Sequence, residues 1–306
     1  MTEPAPLPLP LSPTPADDPE SPPRPAWKRA LAGLVPARFR RRAPVVPVVR
    51  LTGAIGAAAG PFRAGLSLAG CAGALDKAFA MKRARAVAIV INSPGGSAAQ
   101  SHLIHRRIRA LAEEKRLPVV AFVEDAAASG GYMIACAADE IVADPSSLVG
   151  SIGVISAGFG FDRLIERFGI ERRVYATGER KAMLDPFRPE DPADVERIRG
   201  IQADVQAMFV DLVRSRRGTR LKEVDDLYTG AVWSGRQALG LGLVDGLGDL
   251  RATMRARYGE TVELRIVAAK GRPLLARLLR RGEAGEAGLA LLAAVEERAA
   301  WSRLGL

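Results

Sequence analysis

Short apolar runs alternate with longer amphipathic stretches from residue 45 onward, and this alternation sets the expected architecture. Runs rich in Val, Ile and Ala predict buried strands at 46–51, 85–91, 117–123, 139–143 and 148–155. Apolar residues at helical spacing predict helices at 98–115, 129–138, 160–168 and 190–216. Strands that alternate with helices are typical of a parallel sheet covered on both faces, so the sequence predicts an α/β fold.

Both ends of the chain depart from this pattern. Residues 1–26 are rich in proline and predict a disordered tail. Residues 27–43 form a basic linker with interspersed apolar side chains, and two interpretations stay open for it. Residues 27–42 either lie as a short amphipathic segment on an anionic membrane or form a solvated linker. Residues 271–306 predict a helical extension, which leaves 44–270 as the folded domain.

The charge of the chain narrows the classes of partner. The 306 residues carry a formal net charge of +10, which favours anionic partners such as nucleic acid or an anionic membrane. No nucleic-acid-reading motif with interleaved aromatic residues is present, so no nucleic-acid partner is expected. No stretch approaches the ~20 apolar residues of a membrane span, and the N-terminus lacks the pattern of a secretory signal. We therefore expect a cytoplasmic protein, or a peripheral one at the inner membrane.

Two glycine-containing motifs follow predicted strands and carry candidate chemistry. In the first, Gly95 and Gly96 allow the backbone to approach a substrate carbonyl, although a tight turn would also use them. In the second, Ser129 precedes Gly130 and Gly131 at a predicted helix start. A serine there is either a helix N-cap or an exposed nucleophile whose neighbouring N–H groups stabilise an anion.

A nucleophilic serine needs a base, and the histidines are poorly placed to supply one. His102 and His105 both precede the serine and predict an exposed helix face, with no third ligand for a metal. Lys181 follows the serine and is the candidate base, provided that substrate or a neighbouring subunit removes water from its amine. An ordinary surface lysine is the alternative, and an ion pair with Asp185 would keep the amine charged.

Two further residue types bear on this interpretation. Ser151 lies in a glycine-rich apolar strand, where its hydroxyl would bond either the lysine amine or local backbone. Cys71 and Cys136, the two cysteines, predict small buried side chains and no disulfide framework.

The motifs resemble, in order, those of the family S49 peptidases of the signal peptide peptidase A group, within the Clp protease/crotonase fold. The stretches that carry the resemblance are 91–96, 128–132, 149–154, Lys181 before 185–187, and 229–245. The resemblance covers roughly residues 46 to 268. It implies a Clp protease/crotonase-like core of parallel strands with flanking helices.

The resemblance also implies roles for individual residues. Ser129 would be the nucleophile and Lys181 the general base of a serine endopeptidase. Ser151 would bond the lysine amine, and the Gly96 N–H would bind the oxyanion, assisted by that of Gly130. Short, unfolded or signal-peptide-like apolar peptides would be cleaved through an acyl-enzyme, without cofactor or metal. A ring- or dome-shaped homo-oligomer is implied, in which a neighbouring subunit can supply the lysine.

Two alternatives remain at this level. A crotonase-type acyl-CoA enzyme would share the fold and the oxyanion loop but would need neither Ser129 nor Lys181. A non-catalytic membrane-associated scaffold would depend on the basic N-terminal segment and would not react with serine-directed probes.

Overall fold

The computed structural model describes residues 43–56, 65–178, 180–222 and 224–268, together with 295, 298–299 and 301–306. The tail 1–26, nearly all of the linker 27–43 and most of the extension 271–306 lie outside the described residues. The domain limits 44 and 270 therefore stay predictions.

The described chain contains strands, α-helices and short 3-10 turns. The strands are β1 Val45–Thr52, β2 Val87–Ser93, β3 Val119–Ala128, β4 Glu140–Ala143, β5 Leu148–Gly150, β6 Val232–Ser234, β7 Gly246–Leu247 and β8 Glu263–Ile266. The α-helices are α1 Leu68–Phe79, α2 Ala98–Lys115, α3 Gly130–Ala135, α4 Asp162–Arg167, α5 Pro192–Arg217, α6 Gly235–Leu241 and α7 Leu250–Tyr258. The 3-10 turns are Gly218–Arg220 and Asp225–Tyr228.

One mostly parallel sheet organises these elements and confirms the predicted α/β class. Its strand order is β6-β5-β3-β2-β1-β8, and β4 pairs with both β3 and β7. Only the β5–β6 pair is antiparallel among the described pairs. Strand β3 changes partner along its length, because its first half pairs with β4 and its last three residues pair with β5. The end of β3 is thereby held between β2 and β5.

Apolar side chains fill both faces of the sheet. Alternate residues of β3, such as Ala121 and Val123, join the larger core formed with α1, α2, α3 and α5. The intervening residues, such as Val120 and Phe122, join a smaller core with Met254 of α7. Alternation of this kind follows from the two-residue period of a strand, and it explains why the strand sequences are apolar throughout.

Helix α3 is shorter than the predicted helix 129–138. Its regular part ends at Ala135, and the following residues form tight turns. The Arg216 guanidinium of α5 donates to the carbonyl oxygens of Cys136 at 2.8 Å and Ala138 at 2.9 Å. These bonds satisfy carbonyl groups that a continuing helix would have used.

The two cysteines are buried, as predicted. Cys71 is 5% exposed and Cys136 is 1% exposed. Burial raises the pKa of both thiols to about 11, so both stay protonated at neutral pH.

The prediction of an exposed histidine pair is wrong for His105, which is 8% exposed. The buried stripe of α2 consists of Ser101, Ile104, His105, Ile108, Leu111 and Ala112, so His105 lies on the core face. Neither ring nitrogen has a hydrogen-bond partner among the described residues. Burial, followed by the positive charge of Arg216, lowers the pKa of His105 to about 3.

This buried imidazole predicts an acid sensitivity at mildly acidic pH. The unfolded chain binds a proton at His105 below about pH 6.5, whereas the folded protein does so only near pH 3. The free energy of unfolding should therefore fall by about 1.4 kcal/mol per pH unit between these values. Carboxyl groups with lowered pKa values, such as that of Asp245, add their own slope in every variant. Urea unfolding from pH 7 to pH 4.5 should therefore give a slope for wild type and for His102→Leu that is steeper by about this amount than the slope for His105→Leu. An equal slope in His105→Leu would contradict the assignment.

Candidate active site

A bulge in β3 places the chain for the candidate site. Ile91 pairs with Val123 and Ser93 with Ala127, so β3 carries two more residues than β2 between these points. The Asn92 side chain bridges the bulge, because its amide nitrogen donates to Asp125 at 2.5 Å and its oxygen accepts the Ala126 N–H at 3.3 Å. Asn92 therefore fixes the end of β3 relative to the loop that follows β2.

Ser129 occupies a strained turn between β3 and α3. Its backbone has φ 51° and ψ −119°, a conformation that is uncommon for a residue with a side chain. The Ser129 N–H donates to Gly150 O at 2.8 Å, which ties the turn to the end of β5. The Ser129 side chain makes no capping hydrogen bond to α3, so the N-cap alternative is not what the structure shows. The hydroxyl is half-exposed and without a hydrogen bond in the described part of the chain.

The glycine loop after β2 lies directly against this turn. Gly95 has φ 101°, and a Cβ built on it would lie 2.8 Å from Ser129 Cβ and 3.1 Å from Gly130 N. A side chain at position 95 would therefore push the loop away from Ser129. Ser93 holds the loop from below, since its hydroxyl donates to Gly53 O at 2.8 Å and accepts the Gly95 N–H at 3.2 Å.

Gly96 presents an unused N–H group beside the same turn. Ile55 donates to Gly95 O at 2.8 Å and accepts from the Ser97 N–H at 2.8 Å, so Ile55 forms a bridge with the residues that flank Gly96. In such a parallel bridge the N–H of the central residue points away from the partner strand. The Gly96 N–H has no acceptor among the described residues.

The Gly130 N–H is likewise unpaired within the described residues. It lies in the first turn of α3, where no intrahelical acceptor exists. Gly130 is buried against α2, because a Cβ built on it would lie 2.3 Å from Ser101 Oγ. Two unpaired N–H groups, from Gly96 and Gly130, thus flank the Ser129 turn, and such groups can bind a developing oxyanion.

Ser151 lies next to Ser129 because β3 and β5 end together. Ala128 pairs with Gly150, so the two serines follow paired residues of parallel strands. Ser151 has φ 50°, and its N–H donates to Ala231 O at 2.7 Å. Together with Gly150 at φ 106°, this conformation ends β5 five residues before the predicted strand end. The local backbone bond considered for the Ser151 hydroxyl is not found among the described residues.

Lys181, unlike the other candidate site residues, makes no described contact near the Ser129 turn. It lies in an exposed turn, where its N–H donates to Gly178 O at 3.1 Å. The ion pair with Asp185, considered as an alternative, is absent from the described contacts. Asp185 instead accepts the Phe187 N–H at 3.1 Å and pairs with Arg172 at 3.3 Å. These interactions lower the pKa of the Asp185 carboxyl, and they leave the Lys181 amine unpaired within the described chain.

Three supporting residues were not singled out from the sequence. Ser93 and Ser101 are both fully buried beneath the loop and the turn, and Ile55 forms the bridge that supports Gly96. Ser93 belongs to the glycine-loop motif and Ser101 to the predicted helix 98–115. Nothing in the sequence distinguishes them as buried serines. Ile55 follows β1 in a glycine-rich segment whose pairing depends on residues forty positions away.

Comparisons with known proteins identify the family of the chain. The model of peptidase family S49 matches residues 111–263, half of the chain. A putative protease of Synechocystis, slr0021, is 34% identical over 64% of this chain and 72% of its own length. The chain belongs to peptidase family S49.

Other relatives are longer than this chain. A Brucella abortus protein named Na(+)/H(+) antiporter NhaA is 50% identical over 90% of this chain, which spans 39% of that relative's length. A solved structure of the 1510-N membrane-bound stomatin-specific protease, a lysine-to-alanine mutant in complex with a substrate peptide, has a shorter chain. The match covers 78% of this chain and 98% of that chain, with 17% identity and a TM-score of 0.47. In the part of this chain that the structure describes, no helix is both long and apolar enough to span a bilayer.

The contact between the glycine loop and the serine turn can be tested at Gly95. Gly95→Ala places a methyl group 2.8 Å from Ser129 Cβ and forces φ 101° on a residue with a side chain. We expect peptidase activity to fall by about 100-fold, because a displacement of about 1 Å at a catalytic group has an effect of this size. Gly73→Ala in α1 is the control, since its Cβ meets nothing within 4 Å. Peptide cleavage by Gly95→Ala at the rate of Gly73→Ala would contradict this account.

Proposed function

We propose that this peptidase is a serine endopeptidase with a Ser129–Lys181 dyad. The observation that carries the proposal is the Ser129 turn, which is strained and whose hydroxyl has no hydrogen bond with any residue that the structure describes. Strained backbone of this kind costs about 1–3 kcal/mol and is concentrated at functional sites. A serine kept only as a helix cap would use its hydroxyl in the cap, which Ser129 does not do.

The proposed chemistry follows the groups around this turn. Ser129 Oγ attacks the scissile carbonyl carbon while Lys181 Nζ accepts its proton. The negative charge on the carbonyl oxygen is stabilised by the N–H groups of Gly96 and Gly130. The tetrahedral species collapses to an acyl-enzyme as Lys181 returns the proton to the leaving amine. A water molecule, deprotonated by Lys181, then hydrolyses the ester and regenerates Ser129. No metal or cofactor has a part in these steps.

Lys181 must be neutral to accept the proton. This requirement favours an oligomer or a bound substrate that covers its amine. In a single chain the Lys181 side chain is exposed to water. Burial against substrate or a second copy would disfavour the charged ammonium form.

Residues 155–178 and 180–187 form an exposed arm that carries Lys181 and mixes large apolar side chains with charged ones. Ile155, Phe159, Phe168 and Tyr175 are 70%, 80%, 70% and 93% exposed, respectively. The arm also borders a groove of about 580 Å³ with a mixed lining, in which Ile165 and Ile170 lie beside charged residues such as Arg172. Large apolar side chains that are clustered and exposed to water favour an interaction site. We infer that the arm packs against another copy in a homo-oligomer, which would enclose Lys181.

The proposed substrates are short, unfolded or signal-peptide-like apolar peptides. The glycines at 95, 96, 130 and 131 remove side chains that would block an extended peptide. Relatives include a putative signal peptide peptidase of Enterococcus faecium, 31% identical over 55% of this chain and 48% of its own length. A peripheral location at the inner membrane, with contact through residues 27–42, is part of this proposal and rests on segments outside the described residues.

The alternatives have less support. Membership of a peptidase family favours amide hydrolysis over acyl-CoA chemistry, and an acyl-CoA enzyme would not need a strained serine. The scaffold alternative does not explain why two unpaired N–H groups flank this serine. Ion transport is named for the whole Brucella relative, of which this chain spans 39%, and is not part of the proposal.

The dyad predicts a specific pattern of peptide cleavage, read by mass spectrometry on a mixture of apolar signal-like peptides. Wild type should cleave, Ser129→Ala should not, and Lys181→Met should lose about 10²–10⁴-fold because it lacks the base. Lys222→Met, at another exposed lysine, should cleave like wild type. Lys181→Met with full activity would overturn the dyad.

Mixed oligomers test whether the arm delivers Lys181 to a neighbouring subunit. Ser129→Ala and Lys181→Met proteins would be denatured together, refolded and assayed. If the lysine acts between subunits, one intact serine meets one intact lysine and part of the activity returns. Activity no higher than that of either variant alone, in oligomers shown to be mixed, would contradict action between subunits.

A further inference from the structure

A glutamine on the long helix α5 holds the backbone next to Ser151. The Gln206 amide nitrogen donates to Tyr228 O at 2.9 Å and to Ile152 O at 3.4 Å. Ile152 directly follows Ser151 and is fully buried, and Tyr228 ends a 3-10 turn that precedes β6. One side chain therefore ties together two backbone segments that come from different parts of the chain.

These two segments, which contain Ile152 and Tyr228, contact each other next to Ser151. The Ser151 N–H donates to Ala231 O at 2.7 Å, and a Cβ built on Gly153 would lie 3.1 Å from Gly230 Cα. The segments therefore run in close contact from Ser151 to Gly153. Gly150, which precedes them, accepts the Ser129 N–H. A shift of Ile152 would consequently move Ser151 and the residue that anchors Ser129.

The oxygen of the Gln206 amide, unlike its nitrogen, has no hydrogen bond with the described residues. This Oε1 atom is buried. A buried polar atom without a partner is unfavourable for folding. Nearby positions on the same helix face are apolar, with Phe209 and Val213 both buried. A polar side chain held at such a place, against the local preference for an apolar one, is a feature expected of positions that serve function.

We propose that Gln206 is a positioning residue of the active site. By holding the Ile152 and Tyr228 carbonyl groups, it fixes the backbone of Ser151, whose hydroxyl then directs the Lys181 amine toward Ser129. Gln206 itself touches no reacting atom. This inference rests on the proposed dyad, in which Ser151 orients the lysine.

The test compares three variants with wild type. Gln206→Met keeps the length of the side chain and removes its donor. Gln206→Glu keeps the shape, but its carboxylate cannot donate until it is protonated. Gln202→Met changes a half-buried glutamine one turn earlier that makes no side-chain hydrogen bond with the described residues. The measurements are kcat and KM for one cleaved peptide across pH, with thermal unfolding and oligomer size for each protein.

Gln206→Met should lower kcat by about 10-fold or more with KM changed less than about twofold, because the base is misplaced while substrate binding is retained. The acidic limb of its kcat/KM profile should move to higher pH, since a looser lysine is better solvated. The defect of Gln206→Glu, relative to wild type at the same pH, should shrink as the pH falls and its carboxyl gains a donor proton. Gln202→Met should match wild type in all of these.

Several outcomes would overturn the inference. Gln206→Met with the kcat and pH profile of wild type would show that the position is not needed for catalysis. A fall in activity that follows only lost folding or assembly, with an unchanged pH profile, would make the role structural. If Gln206→Met does not fold, a pH-independent defect in Gln206→Glu overturns it. These results leave wild-type cleavage intact, whereas absence of cleavage by folded wild type would reject the proposed function and this inference with it.

Discussion

The site depends on one constraint, the backbone conformation of Ser129. The turn stays at φ 51° because three neighbours determine it together: Gly150 O accepts its N–H, Gly95 lies against its Cβ, and β3 runs directly into it. Strain of this kind persists only where the surroundings over-determine it. The same conformation leaves the hydroxyl out of the helix cap and next to Gly130, whose N–H, like that of Gly96, has no acceptor among the described residues.

The rest of the fold serves to bring these neighbours together. Strand β3 exchanges β4 for β5 as its partner, so β5 ends beside it and supplies both Gly150 and Ser151. The bulge bridged by Asn92 sets where β3 ends relative to the glycine loop. Helix α5 reaches back over the sheet with Gln206 and with Arg216, which bonds the turns after α3. The serine turn is thus fixed from its own strand, from both neighbouring strands and from a distant helix.

The sequence predicted the strands with continuous apolar runs and helix 98–115, because these elements have strong periodic patterns. It missed α1, whose Ala- and Gly-rich sequence has little amphipathic contrast, and the short strands β6 to β8, which exist only through pairing with distant residues. It extended β5 because an apolar sequence does not reveal the positive φ of Ser151. His105 was placed on the wrong face even though its spacing from Ile104 and Ile108 fits the core stripe. The Ser129 and glycine motifs could be singled out because each follows a predicted strand, whereas no described contact of Lys181 links it to the Ser129 turn.

Covalent labelling of the protein with a fluorophosphonate, followed by peptide mapping, shows directly whether the Ser129 hydroxyl is an activated nucleophile. The reagent forms a stable bond with a serine only where the hydroxyl is activated and the phosphoryl oxygen is stabilised as an oxyanion would be. The account predicts a single modified residue, Ser129, and loss of labelling when Ser129 is changed to Ala. Labelling of another serine would contradict it. So would a protein that still cleaves peptide at full rate in excess reagent while its Ser129 stays unmodified.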